Sequence, residues 1–399
     1  MDQLTLSCRV LTPLFMSGPN PGWAELRPPS FRGALRFWYR AADPDYQKME
    51  PLLFGGVGDN RGQGSMLLRL AVDNKPPTAI SWDQLRVERF TEGSGRATKN
   101  GLIYLGFPFQ MRNNNRENVN AIRPGYEFRM HCLVKFPSKS AEDQERLRRG
   151  VAAAWWLLAH LGGLGSRSRR GFGSLVLRQW QVEPEQNWPE LAALPLLASL
   201  DSPQEAREGL ERGLATIRQW FGDWKNNIAH PHLGPHFRHE LLMGPLGPHD
   251  LLLQPERQWD VLLAAMGKHM QAFRLRRAPD YARVKVHLQG DHIQMAPERT
   301  TFGLPLTFRF SSVKGKNAMF LPYDSRQYTT FQRHGSLLWL RPVALGEVLH
   351  PLYTRLDGAI PGMRPPTTLS RGTRPLMPPG DNAMDRYLDT LKAGKGKHA

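Results

Sequence analysis

The sequence of 399 residues is short of acidic side chains and has no long apolar run. Lys and Arg number 53 against 36 Asp and Glu, which gives a formal net charge of +17. A protein this basic most often binds a polyanion, either nucleic acid or an anionic membrane surface. Because no run of 18 or more apolar residues is present, we expect no membrane-spanning helix, and nucleic acid is the favoured partner.

Cysteine is scarce: the chain has two, Cys8 and Cys132. Both lie on the apolar face of alternating segments, which predicts buried free thiols in a reducing cytoplasm. A metal site built on them would need further ligands, and none lies nearby in sequence. The N-terminal segment carries the acid Asp2 and lacks the apolar core of a signal peptide. We therefore expect a cytoplasmic protein.

Four alternating segments and two helical segments in the first half predict the order β-α-β-β-α-β, which is ferredoxin-like or RRM-like. The strands are predicted at residues 4–11, 65–72, 126–136 and 174–180. The first helix is predicted to follow Ser30 as its N-cap, and the second covers residues 141–163. Residues 80–124 are interpreted as a polar insertion into this domain.

The second half repeats these patterns in weaker form. Helices are predicted around 204–221, 257–274 and 381–393, and strands at 283–289, 305–312 and 336–345. We interpret this half as a degenerate domain of the same type, preceded by a linker and ending in a basic tail. The predicted fold class is therefore α+β, with tandem ferredoxin-like domains over residues 1–185 and 186–399.

The segment GGLGSRSRRGFGSL, residues 162–175, holds five glycines and three arginines but no acid. It lacks the G-x-x-x-x-G-K-[ST] pattern and leads from a helix into a strand, so a mononucleotide-binding P-loop is not expected. Glycine lets a backbone approach a ligand closely, and arginine offers bidentate contacts to phosphate. The segment therefore indicates either a site for an extended phosphodiester backbone or a solvated turn with incidental charge.

Arginines also recur in the first predicted helix, where Arg32, Arg36 and Arg40 share one face at i, i+4 and i+8. They form either a second RNA-contacting face or the solvent side of an amphipathic helix. Both helices of a β-α-β-β-α-β domain pack on the same side of its sheet. We therefore predict that the segment RPPSFRGALR lies beside residues 162–175.

A third basic segment lies in the second half, with one acid, Asp280, among its cations. Its basic residues are Lys268, Arg274, Arg276, Arg277, Arg283 and Lys285. Cations at a helix C-terminus explain part of this segment without RNA. The aromatic residues 37–39 are interpreted as core, with base stacking as the alternative.

Three stretches together resemble the RAMP superfamily of CRISPR-associated proteins: LRPPS running into RGALRFW, then LFGG, then LGGLGSRSRRGFGSL. More closely, they resemble the first RAMP subunit of the Cmr (type III-B) RNA-guided effector complex, most densely over residues 4–180. The resemblance implies two ferredoxin-like domains, assembly with other RAMP subunits around a guide RNA, and a place toward the 3′ end of that guide. There the subunit would contact RNA and help to capture target RNA.

The resemblance also implies which residues contact RNA, although it does not separate guide contacts from target contacts. Combined with the helical face and the glycine-rich segment, it gives this predicted RNA-binding set: Arg27, Ser30, Arg32, Arg36, Arg40, Gly165, Arg167, Ser168, Arg169 and Arg170. Residue roles after about position 180 are left open by it.

Histidine is absent before His131, which argues against catalysis. Metal-independent RNA cleavage needs an acid/base pair, usually with His, and RAMP processing nucleases typically place it near the first helix. Neither His131 nor His160 lies beside that helix in sequence, so we predict a non-catalytic subunit. The alternative is a RAMP endoribonuclease that processes guide RNA precursors. A single-strand RNA-binding protein acting alone would show exposed aromatics on its sheet face, a pattern that residues 126–136 lack.

Four histidines lie close together in sequence, as metal ligands often do: His230, His232, His236 and His239. They lack cysteine partners at ligand spacing, so we interpret the segment as a loop or an interface rather than a zinc site. No cofactor, metal or catalytic residue is therefore predicted.

Overall fold

A computed structural model describes the greater part of the chain. Its described residues are 1–20, 22–56, 62–85, 101–109, 119–136, 140–183, 188–225, 230–242, 253–275, 278–310, 317–324, 328–358, 363–368, 375–377, 379 and 383–392. Much of the predicted insertion, Arg276, Arg277 and the basic tail lie outside these ranges. Among the described helices, none combines the length and apolarity that crossing a bilayer requires.

In the first half, the described residues form six strands and four helices. The strands are β1 (Asp2–Val10), β2 (Met66–Leu70), β3 (Ala79–Ser81), β4 (Asn120–Ile122), β5 (Glu127–Val134) and β6 (Leu175–Glu183). The helices are α1 (Pro28–Ala42), α2 (Tyr46–Phe54), α3 (Gly101–Leu105) and α4 (Ala141–His160). All four predicted strands and both predicted helices of this half are confirmed.

The main sheet is antiparallel, with the strand order β2-β5-β1-β6. Alternation in β1 buries Leu4, Leu6, Cys8 and Val10 on one face, as the sequence predicted. Both cysteines are buried free thiols, and burial raises the pKa of each to about 12. Helices α1 and α4 pack against each other. The elements β1, α1, β2, β5, α4 and β6 thus follow the predicted β-α-β-β-α-β order.

The start of α1 differs from the prediction. The helix begins at Pro28 with Arg27 as N-cap, so Ser30 lies inside the first turn and is not the cap residue. Proline suits this place because its fixed φ is already helical and the N–H that it lacks would have no partner within the helix. Arg27 and Ser30 therefore both lie at the entrance of α1.

Among the described residues, the second half has five α-helices and seven strands. The helices are α5 (Pro189–Ala192), α6 (Pro203–Phe221), α7 (Trp259–Leu275) and α8 (Ala278–Gln289), followed near the end by α9 (Ala383–Lys392) after the strands. The strands are β7 (Arg238–Leu241), β8 (Leu306–Arg309), β9 (Asn317–Asp324), β10 (Thr329–Thr330), β11 (Leu338–Leu345), β12 (Val348–Arg355) and β13 (Met363–Thr368).

Residues 283–289, predicted as a strand, lie instead in helix α8. The alternation of valines there is misleading, because Val286 is 41% exposed while Val284 and Leu288 are buried. A strand would place all three residues on one face, whereas a helix brings positions i and i+4 together and turns position i+2 away. The other helices and strands predicted for this half are confirmed.

Two further antiparallel sheets lie in this half. One has the order β11-β12-β7, and the other is β10-β9-β13 with β8 paired to β9. In the first of them, β7, α7, β11, β12 and α9 follow the order β-α-β-β-α, and β7-β12-β11 corresponds to β1-β5-β2. The final strand of the pattern is missing among the described residues. The protein is therefore a mixed helix-and-sheet fold with antiparallel sheets, as predicted.

One hydrophobic core runs through both halves, from Leu4 in β1 to Leu391 in α9. A smaller cluster lies between α8 and the β8–β9 strands. The described part of the insertion joins the main core, since Trp82 and Leu105 are fully buried. Helix α3 packs against α7 so closely that a Cβ on Gly267 would lie 2.2 Å from the carbonyl oxygen of Gly101. The insertion therefore connects the halves.

Candidate nucleic-acid interface

The glycine- and arginine-rich segment, Gly162–Leu175, here called the Gly/Arg loop, lies between the two halves. Gly165, Gly171 and Gly173 have φ angles of +75°, +87° and +66°, in the left-handed region that favours glycine. A Cβ on Gly173 would lie 1.9 Å from the carbonyl oxygen of Leu164, so a side chain there would force the loop open. The glycines therefore allow a compact loop rather than a merely flexible one.

The loop and the entrance of α1 meet through residues 15–17. The Ser166 amide donates to the carbonyl oxygen of Phe15 at 2.8 Å. On the other side, an Nη of Arg27 donates to the carbonyl oxygen of Ser17 at 3.2 Å. The guanidinium of Arg169 also lies over the ring of Phe37 in α1, at 5.2 Å from its centroid. The structure thus brings the two predicted segments together.

Arg32, Arg36 and Arg40, here called the α1 arginine face, hold helix α2. Arg32 donates to the carbonyl oxygen of Phe54, and Arg36 donates to that of Gly55 at 2.5 Å, both at the C-terminal end of α2. Cations are favourable there because helix carbonyls point outward with partial negative charge. These arginines therefore hold α2 in place, a role that differs from both earlier interpretations, an RNA-contacting face and the solvent side of an amphipathic helix.

The same face is also compensated by an acid. Glu50, 7% exposed, lies 2.8 Å from the Nε of Arg36 and accepts two hydrogen bonds from Arg40, each of 2.6 Å. The bond to Glu50 raises the pKa of Arg40, which fixes its charge. A buried carboxylate needs such partners, because removing them leaves it unpaired in a poor solvent. The charge of this face is therefore partly used inside the protein.

The three arginines of the Gly/Arg loop point to three different parts of the chain. Arg167 donates from Nε to the carbonyl oxygen of Leu105 at 2.7 Å, and Arg169 donates to that of Ser336. Arg170 is 9% exposed and donates to the Sδ of Met270 at 2.8 Å. All of these acceptors are neutral. Gly165 is exposed and Ser168 is half-buried beside them.

Burial and mutual repulsion act on these guanidinium groups. Burial, with a smaller contribution from the nearby cations Arg170, Arg333 and Arg274, lowers the pKa of Arg167 to about 9. The pKa values of Arg169 and Arg170 fall to about 10, with burial again the main cause. Among the described residues, no ion pair joins this group to a carboxylate. The cluster therefore carries positive charge that an anion would stabilise.

Two of these arginines line a cleft of about 550 Å³, here called the insertion cleft. Its lining residues are Ile103, Tyr104, Leu105, Phe107, Pro108, Arg167, Arg170, Gln271, Arg274 and Pro305. Arg274 donates to the Tyr104 hydroxyl at 2.8 Å, and Phe107 is 54% exposed. Guanidinium groups combined with accessible aromatic rings are typical of surfaces that bind single-stranded nucleic acid.

Sequence reasoning named Arg274 only as part of a basic segment and did not find Tyr104, Phe107, Gln271 or Pro305. The usable signal was the apolar stretch GLIYLGFPF within an otherwise polar insertion. A run of this kind must be buried or must meet a ligand. Its position beside the Gly/Arg loop depends on tertiary packing, which the sequence pattern does not show.

Arg341 in β11 was also missed, although it joins the halves at this place. It is 3% exposed and donates to the carbonyl oxygens of Ala159, Gly162 and Leu175, the last at 2.6 Å. Burial lowers its pKa to about 9. Since α4 ends at His160, this guanidinium caps that helix and fixes the start of the Gly/Arg loop.

Two of the histidines considered in the sequence analysis, His160 and His232, make contacts that stabilise the fold. The Nε2 of His160 accepts from the Leu197 amide at 3.1 Å, so its Nδ1 donates to the carbonyl oxygen of Trp156. Burial lowers the pKa of His160 to about 3, which keeps it neutral. In the predicted histidine group, His232 packs on Trp224 with ring centroids 4.6 Å apart. Within the described ranges, no three His, Cys, Asp or Glu side chains form a group that could hold a metal ion.

Comparison with curated proteins gives relatives from Pyrococcus furiosus. The chain is 26% identical to the CRISPR system Cmr subunit Cmr1-2 over 193 residues, which cover 45% of this chain and 96% of the relative. It is 27% identical to subunit Cmr1-1 over 205 residues, covering 50% of this chain and 53% of that protein.

Comparison with solved structures shows a shared fold over nearly the whole chain. The apo crystal structure of Cmr1 from Pyrococcus furiosus aligns with a TM-score of 0.54 and 18% identity, covering 98% of this chain and 96% of that chain. A chain of the type III-B Cmr-beta bound to cognate target RNA aligns with a TM-score of 0.57 and 13% identity, covering 98% of both. Residues 7–176 match the RAMP superfamily. The first part of this chain is thus similar to the RAMP superfamily, and the chain as a whole shares the fold of Cmr1 from Pyrococcus furiosus.

Proposed function

We propose that this chain is a non-catalytic RNA-binding subunit of a type III-B CRISPR Cmr ribonucleoprotein effector. It contacts guide RNA toward its 3′ end and helps to capture target RNA in antiviral defence, in the cytoplasm and with other RAMP subunits as neighbours. The observation that carries the RNA-binding part is the arginine cluster around the insertion cleft, whose charge is not offset by any described carboxylate. Similarity to Cmr1 subunits supports the assembly part.

We also infer that the fold is a tandem pair of ferredoxin-like domains, the second without its last strand. The matching strand orders β2-β5-β1 and β11-β12-β7 support this inference. The division into residues 1–185 and 186–399 stays a prediction, and the shared core means that the two parts pack as one body.

For the RNA contacts, the surroundings favour one part of the predicted set over the other. Gly165, Arg167, Ser168, Arg169 and Arg170 surround the uncompensated cluster, and we propose them as the main contacts. Their neighbours at the entrance of α1, Arg27 and Ser30, lie across residues 15–17 from the loop. The α1 arginine face adds to the positive field at this edge while holding α2 in place.

The alternative, a guide-processing endoribonuclease, requires an acid/base pair near the bound phosphate. Of the histidines described beside the Gly/Arg loop, His160 is buried and neutral, and burial lowers the pKa of His334 to about 4. A base whose pKa is that low takes up a proton poorly at neutral pH. The described geometry therefore favours binding over cleavage.

Purification of the chain from its native host, followed by sequencing of the bound RNA, tests the proposal. We expect co-purification with several RAMP subunits and a uniform population of guide RNA. The purified chain should leave labelled RNA intact, with or without divalent metal. Recovery without RNA or without RAMP partners would contradict the proposal, as would site-specific cleavage products.

A further inference from the structure

The insertion cleft has the size of a small-molecule site. Its volume of about 550 Å³ falls within the range of roughly 300–1,000 Å³ that is usual for small-ligand sites. Three distant segments build it: residues 103–108, the Gly/Arg loop and helix α7, with Pro305 completing the lining. Its surface passes from Arg170, 9% exposed, to Phe107, 54% exposed.

The inner part of the cleft is chemically suited to phosphate. Arg167, Arg170 and Arg274 all line it, and their described acceptors are carbonyl oxygens, a thioether sulfur and a hydroxyl. The bond from Arg170 to the carbonyl oxygen of Phe302 is long, at 3.5 Å. In addition, the Nε of Arg274 is buried without a described hydrogen-bond partner. Guanidinium groups with unused donors bind phosphate oxygens in pairs.

The outer part of the cleft is suited to a planar ring. Phe107 is the accessible aromatic, and Pro108 and Pro305 add rigid apolar walls. An aromatic side chain that stacks on a base contributes binding without sequence preference, because every base has a π-face. Gln271 also lines the cleft.

From this arrangement we infer that the insertion cleft binds a single unpaired nucleotide, with its phosphate on Arg167, Arg170 and Arg274 and its base against Phe107. The inference deepens the proposed function and rests on it in one respect: the nucleotide is taken to be part of an RNA strand. That nucleotide is either at the end of the strand or turned out of it. Elsewhere on the interface, the RNA would lie along the surface.

Four variants of the full chain test the inference in matched pairs. Phe107→Ala removes an exposed ring in the cleft, and Tyr328→Ala removes a ring that is 83% exposed elsewhere. Arg274→Gln removes one guanidinium of the cleft, and Arg212→Gln removes an exposed guanidinium on α6, which is not part of the lining. Since Phe107 and both control residues are exposed, we expect these three variants to melt like the original protein.

Fluorescence anisotropy with a labelled single-stranded RNA of about 10 nucleotides gives the readout, across a series of salt concentrations. We expect Phe107→Ala to weaken binding about tenfold with an unchanged salt slope, because stacking involves no counterion release. Arg274→Gln should weaken binding and also reduce the slope of log affinity against log salt by about 0.7. Both controls should bind like the original chain.

Competition with uridine 5′-monophosphate, uridine and inorganic phosphate separates the two parts of the cleft. We expect the monophosphate to displace RNA from the cleft better than uridine or phosphate, and to lose this advantage in Phe107→Ala. RNA binding that is unaffected by Phe107→Ala, with the monophosphate no better than phosphate, would overturn the inference and leave the proposed function standing. A chain that binds the monophosphate but no RNA would instead contradict the proposed function alone.

Discussion

The α1 arginine face and the Gly/Arg loop are equally rich in arginine, but their guanidinium groups have different partners. On the α1 face, the arginines pair with Glu50 or donate to carbonyl oxygens at the end of α2. In the loop and its neighbour Arg274, the described partners are neutral, and the cations lower one another's pKa. The two regions have a similar density of positive charge. The difference is that a carboxylate neutralises part of the charge on the α1 face, whereas the charge of the loop remains available to a ligand.

Replacing the buried arginine that holds the loop should have the largest effect of all. We expect Arg341→Met to lower the free energy of unfolding by about 3 kcal/mol, because three buried carbonyl oxygens lose their donor. Arg40→Met on the α1 face should lower the free energy of unfolding by about 1 kcal/mol, because Glu50 still has Arg36 as an ion-pair partner. Urea denaturation measures both values. Equal costs would show that the loop is not anchored by Arg341 as the hydrogen bonds indicate.

Removing charge from each region should separate their roles in RNA binding. Arg167→Gln combined with Arg274→Gln should weaken RNA binding about 100-fold and reduce the salt slope by about 1.4, as expected for two lost phosphate contacts. Arg36→Gln combined with Arg40→Gln should weaken it much less and should lower the melting temperature, because Glu50 is left buried without a cation. Anisotropy titrations and thermal melting give both readouts. The opposite ranking would make the α1 face the main RNA contact.

The C-terminal ends of helices α4 and α2 should also respond differently to pH. The pKa of His160, at the end of α4, is about 3 in the folded chain and about 6.5 when unfolded. Since the folded state disfavours the proton, its contribution is complete above pH 6.5 and is lost as the pH falls toward 3. The end of helix α2 is instead capped by the guanidinium groups of Arg32 and Arg36, which stay protonated over this pH range. We expect His160→Gln to flatten the fall of unfolding free energy between about pH 6.5 and pH 4.

Denaturation of the original chain and of His160→Gln at several pH values provides that comparison. Other histidines with lowered pKa values, such as His239 and His334, are present in both proteins. Their contributions to the pH dependence of the unfolding free energy therefore cancel in the comparison. Parallel pH profiles for the two proteins would mean that His160 accepts a proton without disturbing the end of α4.

Removing the compensating acid should have the smallest effect and would make the α1 face resemble the loop. We expect Glu50→Gln to tighten RNA binding about twofold at low salt, because the net positive charge of this edge rises. Stability should fall by about 1 kcal/mol, since Arg40 loses a charge-assisted partner. A salt titration of RNA binding tests the first effect. Weaker RNA binding at unchanged stability would indicate that Glu50 positions the arginines for RNA.

The sequence predicted the main sheet well because its strands are buried on one face only. In β1 and β5, polar and apolar residues therefore alternate, and the pattern can be recognised without the structure. In β11 every residue is buried, so the sequence showed only an apolar run whose pairing with β12 depends on distant residues. Helix α8 was mistaken for a strand because alternating valines also fit a helix that buries every fourth residue.

The candidate site was predicted only in its local parts. Residues of the Gly/Arg loop and of the α1 face were identified from their composition, and their proximity followed from the β-α-β-β-α-β order. The insertion cleft was not predicted, because Tyr104, Arg167 and Arg274 are far apart in sequence. Nor could the sequence distinguish the two arginine groups, since the pairing of Glu50 with Arg36 and Arg40 depends on the position of α2.

The contact between Gly101 of α3 and Gly267 of α7 has a consequence for the order of events during synthesis. The cleft needs the insertion, the loop, helix α7 and Pro305, so it does not exist until the ribosome has released the chain through that proline. A nascent first domain can fold its sheet earlier, but its arginines still lack the wall that shapes the cleft. Nucleotide binding at this place would therefore report a finished molecule and would prevent RNA from being held there by an incomplete one.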